Sequence, residues 1–161
     1  MWVCRTGYND EYVNTIFECK MLFLPWIEYA YDLNNYNNME DYRELVIKEK
    51  RVDNRTTISN WAGQLFSFAK RMKVGDYVMV PQNSSRIYNL VKIQGDYCFL
   101  EEGILGLHHS RSIEVICKDI PREIFSQNVQ YSLGAFRTLF QVKQEKEILE
   151  TLQSWNNDLI F

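Results

Sequence analysis

The sequence predicts an α+β fold: a small curved antiparallel sheet or β-barrel flanked by helices. Four short runs of strand composition, "DYVMVP" (76–81), "RIYNLVKI" (86–93), "DYCFL" (96–100) and "RSIEVICK" (111–118), are separated only by turn material, so they pair antiparallel and curl. Amphipathic helical stretches precede and follow them. A length of 161 residues, without low-complexity linker or internal repeat, fits a single domain over 1–161 that buries a core without staples.

In chain order, "MWVCR" (1–5) has strand composition, and "NDEYVNTIFECK" after Gly7 reads as a short helix with Tyr12, Ile16 and Phe17 on one side. "MLFLPW" (21–26) is an apolar strand closed by Pro25, and "YDLNNYNN" is an Asn-rich loop. From Met39, "MEDYRELVIKEKR" is a helix with an outward charged face. A second helix, capped by Thr57 or Ser59, carries Trp61, Leu65, Phe68 and Met72 at spacings of four, three and four, and lies across the core. Gly75-Asp76 turns the chain into the strand run. "EEGILGLHHS" is turn material, "IPREIFSQNVQYSLGAF" a compact bridge, "RTLFQVK" a last strand and "QEKEILETLQSW" a closing helix.

Composition limits the function classes. A net charge of -3 argues against broad backbone binding to nucleic acid, which needs Lys and Arg to displace counterions, so any such role is local. Aromatics reach 14%, an excess that serves either core or stacking platforms. Cys4, Cys19, Cys98 and Cys117 form no CxxC pair, and Cys4, Cys98 and Cys117 sit in strand-like runs as small hydrophobes. With no signal-like start and no apolar run of membrane length, the expectation is a cytoplasmic protein with no membrane contact.

No metal, cofactor or catalytic residue is expected. His108 and His109 are adjacent, point different ways and have no ligand partner at helical spacing, which favours a surface or loop-packing role. Neither a nucleophile elbow nor a phosphate-cradling loop occurs. "QVK" (141–143) with Asp119 matches half of a metal-nuclease pattern too short to rise above chance. The remaining constellation is aromatic and polar. Trp26, Trp61 and Tyr97 flank turns or helix starts near Ser59, Asn60, Gln64 and Arg111, groups that stack on a base and read its edge. The plain alternative is that Trp61 is core and that Asn60 and Gln64 cap backbone groups.

"NWAGQLFSFAKRMKVGDYVMVP", "HSRSIEVI", "IPREIFSQNVQYSLGAFRTLFQV" and the opening "MWVCRTG" together resemble the N-terminal domain of Mrr-type restriction endonucleases, over residues 1 to about 150. That domain is similar to PUA-like and EVE-like barrels, which bind modified bases in an aromatic pocket. The nuclease domain that usually follows is absent from this sequence. The resemblance implies a non-catalytic recognition module of a bacterial restriction or anti-phage defence system. Its ligand would be DNA carrying a modified base, with RNA the alternative polymer and a separate nuclease or defence subunit a possible partner. Trp26, Ser59, Asn60, Trp61, Gln64 and Tyr97 are then the base-binding candidates, and Lys73, Arg86 and Arg111 the phosphate rim, with Lys70 and Arg71 as further local cations. Two rival readings remain: a protein-interaction or regulatory module without nucleic-acid contact, and a metal-dependent nuclease using Asp119, Gln141 and Lys143.

Overall fold

A computed structural model describes residues 1–161. Its strands are β1 (Trp2–Cys4), β2 (Met21–Phe23), β3 (Tyr77–Gln82), β4 (Ile87–Ile93), β5 (Cys98–Ile104), β6 (Leu107–Pro121) and β7 (Leu139–Gln141). Its α-helices are α1 (Val13–Cys19), α2 (Met39–Lys50), α3 (Arg55–Phe66), α4 (Gln127–Leu133) and α5 (Glu145–Trp155). The fold is α+β around one strongly curled sheet, as the sequence predicts.

The sheet order is β2-β6-β4-β3-β1-β7, with β5 paired to β6 off that path. β6 produces much of the curl. Its first residues pair with β2 and β5 and its later ones with β4, so one strand serves two orientations of sheet. The β4–β6 register slips on both sides of Leu90, and buried Asn89 repairs the damage: its Nδ2 donates to the Val80 carbonyl at 3.4 Å and its Oδ1 accepts from the Asp119 amide at 3.1 Å. The curl stops at a half-barrel, between the two forms expected, and one pairing departs from the antiparallel expectation: β1 inserts parallel to β3 and antiparallel to β7.

Side-chain alternation fills two cores, one on each face of the sheet. Trp2, Cys4, Val78, Val80, Val91 and Ile93 point to one face and pack with α1, α2 and α3; Val3, Met79, Tyr88 and Leu90 point to the other and pack with α4 and α5. Both faces of a short sheet are thereby dry, which accounts for much of the aromatic excess.

The helix ends follow their sequences, with one shift. Asn38 caps α2 in a capping box with Asp41, and Asn54, rather than Thr57 or Ser59, caps α3 by accepting from the Thr57 amide. α3 continues through a π-turn at Ser67–Arg71, closed by the Met72 amide on the Ser67 carbonyl at 2.9 Å. Within the stretch read as a bridge, "SQNVQYSL" forms α4, capped by Ser126. "EEGILGLHHS" is not a loop. β5 runs to Ile104, Leu105 and Gly106 both take positive φ in a two-residue hairpin turn, and β6 resumes at Leu107. His108 and His109 therefore stand in a strand. Cys98 is exposed and Cys117 half-buried; of the three cysteines expected to act as buried hydrophobes, only Cys4 does, and burial pushes its thiol up to about 12.

Candidate functional site

The sequence-predicted base and phosphate residues fall into three places. The first is an aromatic site where β7 meets α3. Gln64 is buried; its Oε1 accepts from the Leu139 amide at 2.8 Å and its Nε2 donates to the Asn60 Oδ1 at 2.9 Å. Leu139 begins an edge strand whose outward N–H has no ladder partner, and this is why a Gln stands there. Trp61 lies one turn before Gln64 on the same face of α3 and is half-buried. Trp26 arrives from the exit of β2 and donates its indole N–H to the Thr138 Oγ1 at 3.3 Å. Its ring lies 5.9 Å from Tyr29.

Lys50, at the end of α2, ties these rings together: its ammonium lies 5.8 Å from the Tyr29 centroid and 5.5 Å from that of Trp61, while it pairs with Glu28. The Tyr29 hydroxyl is buried without a hydrogen-bond partner, and burial beside Glu28 and Glu49 pushes its pKa up. Ser59 and Asn60 are exposed at the rim of this site. Sequence reasoning named Trp26, Trp61, Asn60 and Gln64; it missed Tyr29, Lys50 and Thr138, which carry no local motif.

The second place is a polar groove of about 670 Å³ lined by Asn34, Lys70, Lys73, Asp96, Tyr97 and Arg111, among others. Arg111 is buried. Its Nε donates to the Phe68 carbonyl at 2.8 Å, Nη2 to Ala69 at 3.1 Å and Nη1 to Gly95 at 3.1 Å, so the guanidinium caps the carbonyls that the π-turn leaves free. That geometry removes it from an exposed phosphate rim. Tyr97 is also buried, in a chain of hydrogen bonds: the Leu33 amide donates to its hydroxyl at 3.1 Å, and the hydroxyl donates to His109 Nδ1 at 2.8 Å. His109 Nε2 in turn donates to the Tyr29 carbonyl. Burial pushes the His109 imidazole down to about 4, so it is neutral at pH 7 and the chain has one consistent set of protons. Neither a surface role for His109 nor a base-stacking face for Tyr97 fits this burial.

The third place is the opposite end of the sheet. Lys73 precedes β3, where its amide and the Trp2 indole both donate to Asp76; Arg86 follows β3, about 20 Å along the strand. The expected rim of Lys73, Arg86 and Arg111 does not form. Around Arg86, however, strand direction gathers other arginines. β1 and β3 run parallel, so Arg5 leaves β1 at the end where Arg86 precedes β4, Arg122 follows β6 and Arg137 precedes β7. The Arg122 amide donates to the Arg86 carbonyl at 3.2 Å, and burial pushes the Tyr88 hydroxyl up, against the opposing pull of the Arg122 and Arg5 charges. Backbone strain collects at the same end, with positive φ at Gly7, Asn9 and Asp10. Asp119, for its part, stands on β6 and Gln141 on β7 with three strands between them, and no cluster of three potential metal ligands occurs.

Residues 2–143 match the family described as a domain of unknown function, DUF8426. The chain belongs to that family. The match runs from β1 to just past β7, so the DUF8426 unit contains the aromatic site, the groove and the arginine end, and stops before α5. No curated protein and no solved structure matches the chain.

Proposed function

We propose that this DUF8426 domain is a non-catalytic recognition module that binds a modified nucleobase, in DNA, at the aromatic site around Trp26 and Trp61. The observation that carries the reading is that the Trp26 indole bonds to Thr138 while Gln64, bonded to Asn60, takes the next amide, Leu139, with half-buried Trp61 one turn before Gln64 on α3 and joined to the Tyr29 ring through Lys50. A base needs a flat apolar platform and a few fixed polar groups at its edge. Gln64 is held in place by the Leu139 amide and retains one N–H, and Asn60 retains its amide N–H groups at the rim. The likeness of "NWAGQLFSFAKRMKVGDYVMVP" to the N-terminal domain of Mrr-type restriction endonucleases, PUA-like and EVE-like in fold, supports the same ligand and a place in a bacterial restriction or anti-phage system in the cytoplasm.

The experiment is fluorescence polarisation with matched duplexes and single strands carrying cytosine, 5-methylcytosine, 5-hydroxymethylcytosine or N6-methyladenine at one position, at two salt concentrations. The expected result is preference for one modified base that survives added salt. Trp26→Ala and Trp61→Ala, checked for folding by circular dichroism, should lose about 1–3 kcal/mol of binding, the range for a stacked base. Equal affinity for all strands, or binding abolished by salt alone, would sink the reading and turn attention to protein partners.

A further inference from the structure

Phe136 is fully exposed, yet the backbone on both sides of it is fixed. Arg5 Nε donates to the Arg137 carbonyl and Arg5 Nη2 to the Ala135 carbonyl, each at 3.0 Å, and the Arg5 amide donates to the Thr138 carbonyl at 2.8 Å. A clamped backbone holds this ring out in water, where it contributes nothing to the core. Thr138, which accepts the Trp26 indole N–H, is two residues away, at most about 7 Å in Cα terms. The ring is flanked by the arginine end. None of Arg5, Arg86, Arg122 and Arg137 has a carboxylate within ion-pair distance, and Arg122 Nε is buried without any partner. Of the nearby carboxylates, Asp10 is turned onto the Ser84 amide at 2.8 Å, while Glu11, Asp119 and Glu123 face solvent. In a chain of net charge -3, Arg86, Arg122 and Arg137 thus stand without ion-pair partners at the end of the sheet that presents this aromatic ring.

Resting on the base-reading function above, we infer that Phe136 is a wedge that enters a duplex at the aromatic site and fills the gap left when the modified base is extruded, while Arg5 clamps the backbone beneath it and Arg86, Arg122 and Arg137 hold the flanking phosphates. Extrusion leaves an unstacked hole, and apolar side chains that occupy such holes offset the unstacking energy. The polymer this geometry takes is therefore duplex DNA rather than a single strand.

The test compares wild-type protein, Phe136→Ala and Phe136→Trp on a duplex and on the matching single strand, each carrying 5-methylcytosine or 5-hydroxymethylcytosine, with 2-aminopurine as the neighbouring base. Wild-type protein should raise 2-aminopurine fluorescence in the duplex. Phe136→Ala should bind the duplex at least tenfold more weakly and bind the single strand unchanged, and Phe136→Trp should restore duplex binding. Unaltered duplex binding by Phe136→Ala would overturn the wedge and leave the base-reading function standing, as would wild-type binding to the single strand alone. Failure of wild-type protein to bind either probe would remove both. Because Phe136 touches no core, loss of folding does not confound the substitution.

Discussion

The two ends of the curled sheet use arginine in opposite ways. Where β3 begins, Arg111 is buried and donates to three backbone carbonyls, Asp76 accepts from Trp2 and Lys73, and Tyr97 and His109 complete a closed chain of donors and acceptors. Where β3 ends, Arg86, Arg122 and Arg137 lack ion-pair partners, Arg5 is spent on holding the backbone around Phe136, and that ring stands in solvent. Polar groups fully satisfied in a low-dielectric interior specify a fold; unpaired cations around a presented aromatic ring supply free energy only when something docks. On the proposed function, the first end carries stability and the second carries recognition.

The largest effect should come from breaking the satisfied end. Arg111→Met removes the donor from three buried carbonyls and should lower unfolding stability by about 3 kcal/mol or more, read by urea denaturation, with little change in nucleic-acid binding by the folded fraction. A variant as stable as wild type would refute its role as a cap. Next comes pH. His109 has its imidazole at about 4 in the fold, against 6.5 for the free side chain, so the unfolded chain takes up a proton first. Its contribution is fully present above about pH 6.5 and is lost as pH falls toward 4, by about 3 kcal/mol. His109→Gln should flatten that part of the stability profile, and an unchanged slope would assign the pH dependence to other groups.

Smaller effects sharpen the contrast. Tyr97→Phe strands the Leu33 amide and His109 Nδ1 and should cost about 1–3 kcal/mol of stability in thermal melts. At the other end, Arg137→Ala should shift stability by no more than about 0.5 kcal/mol, while the salt dependence of duplex binding, log K against log [salt], becomes shallower by about 0.9. If Arg137→Ala unfolds the protein, the division between the two ends is wrong.

The sequence exposes those parts of this architecture that depend on local pattern. Alternation in "DYVMVP" and "RIYNLVKI" and helical spacing in "MEDYRELVIKEKR" mark β3, β4 and α2 because burial follows their periodicity directly. α4 escapes notice because seven residues with two core positions, Val129 and Leu133, are too few to show a period. His109 reads as a loop residue because the turn is only Leu105-Gly106, and its neutral buried state depends on Tyr97 and the Tyr29 carbonyl, both distant in sequence. Within the aromatic site, Trp26 and Trp61 stand out as residue types, but Arg111 looks like any surface cation until the π-turn carbonyls surround it. The gathering of Arg5, Arg86, Arg122 and Arg137 follows from β1 running parallel to β3, a pairing between residues more than seventy positions apart that no local motif encodes.

The most direct measurement uses the four indole N–H signals in a 1H–15N correlation spectrum, titrated with the modified strand that binds best. Trp26 and Trp61 line the proposed base site, whereas Trp2 donates to Asp76 at the satisfied end and Trp155 ends α5. The account predicts large shifts for Trp26 and Trp61 and none for Trp2. A bound strand that leaves Trp26 and Trp61 unmoved, or that moves Trp2 instead, would contradict it.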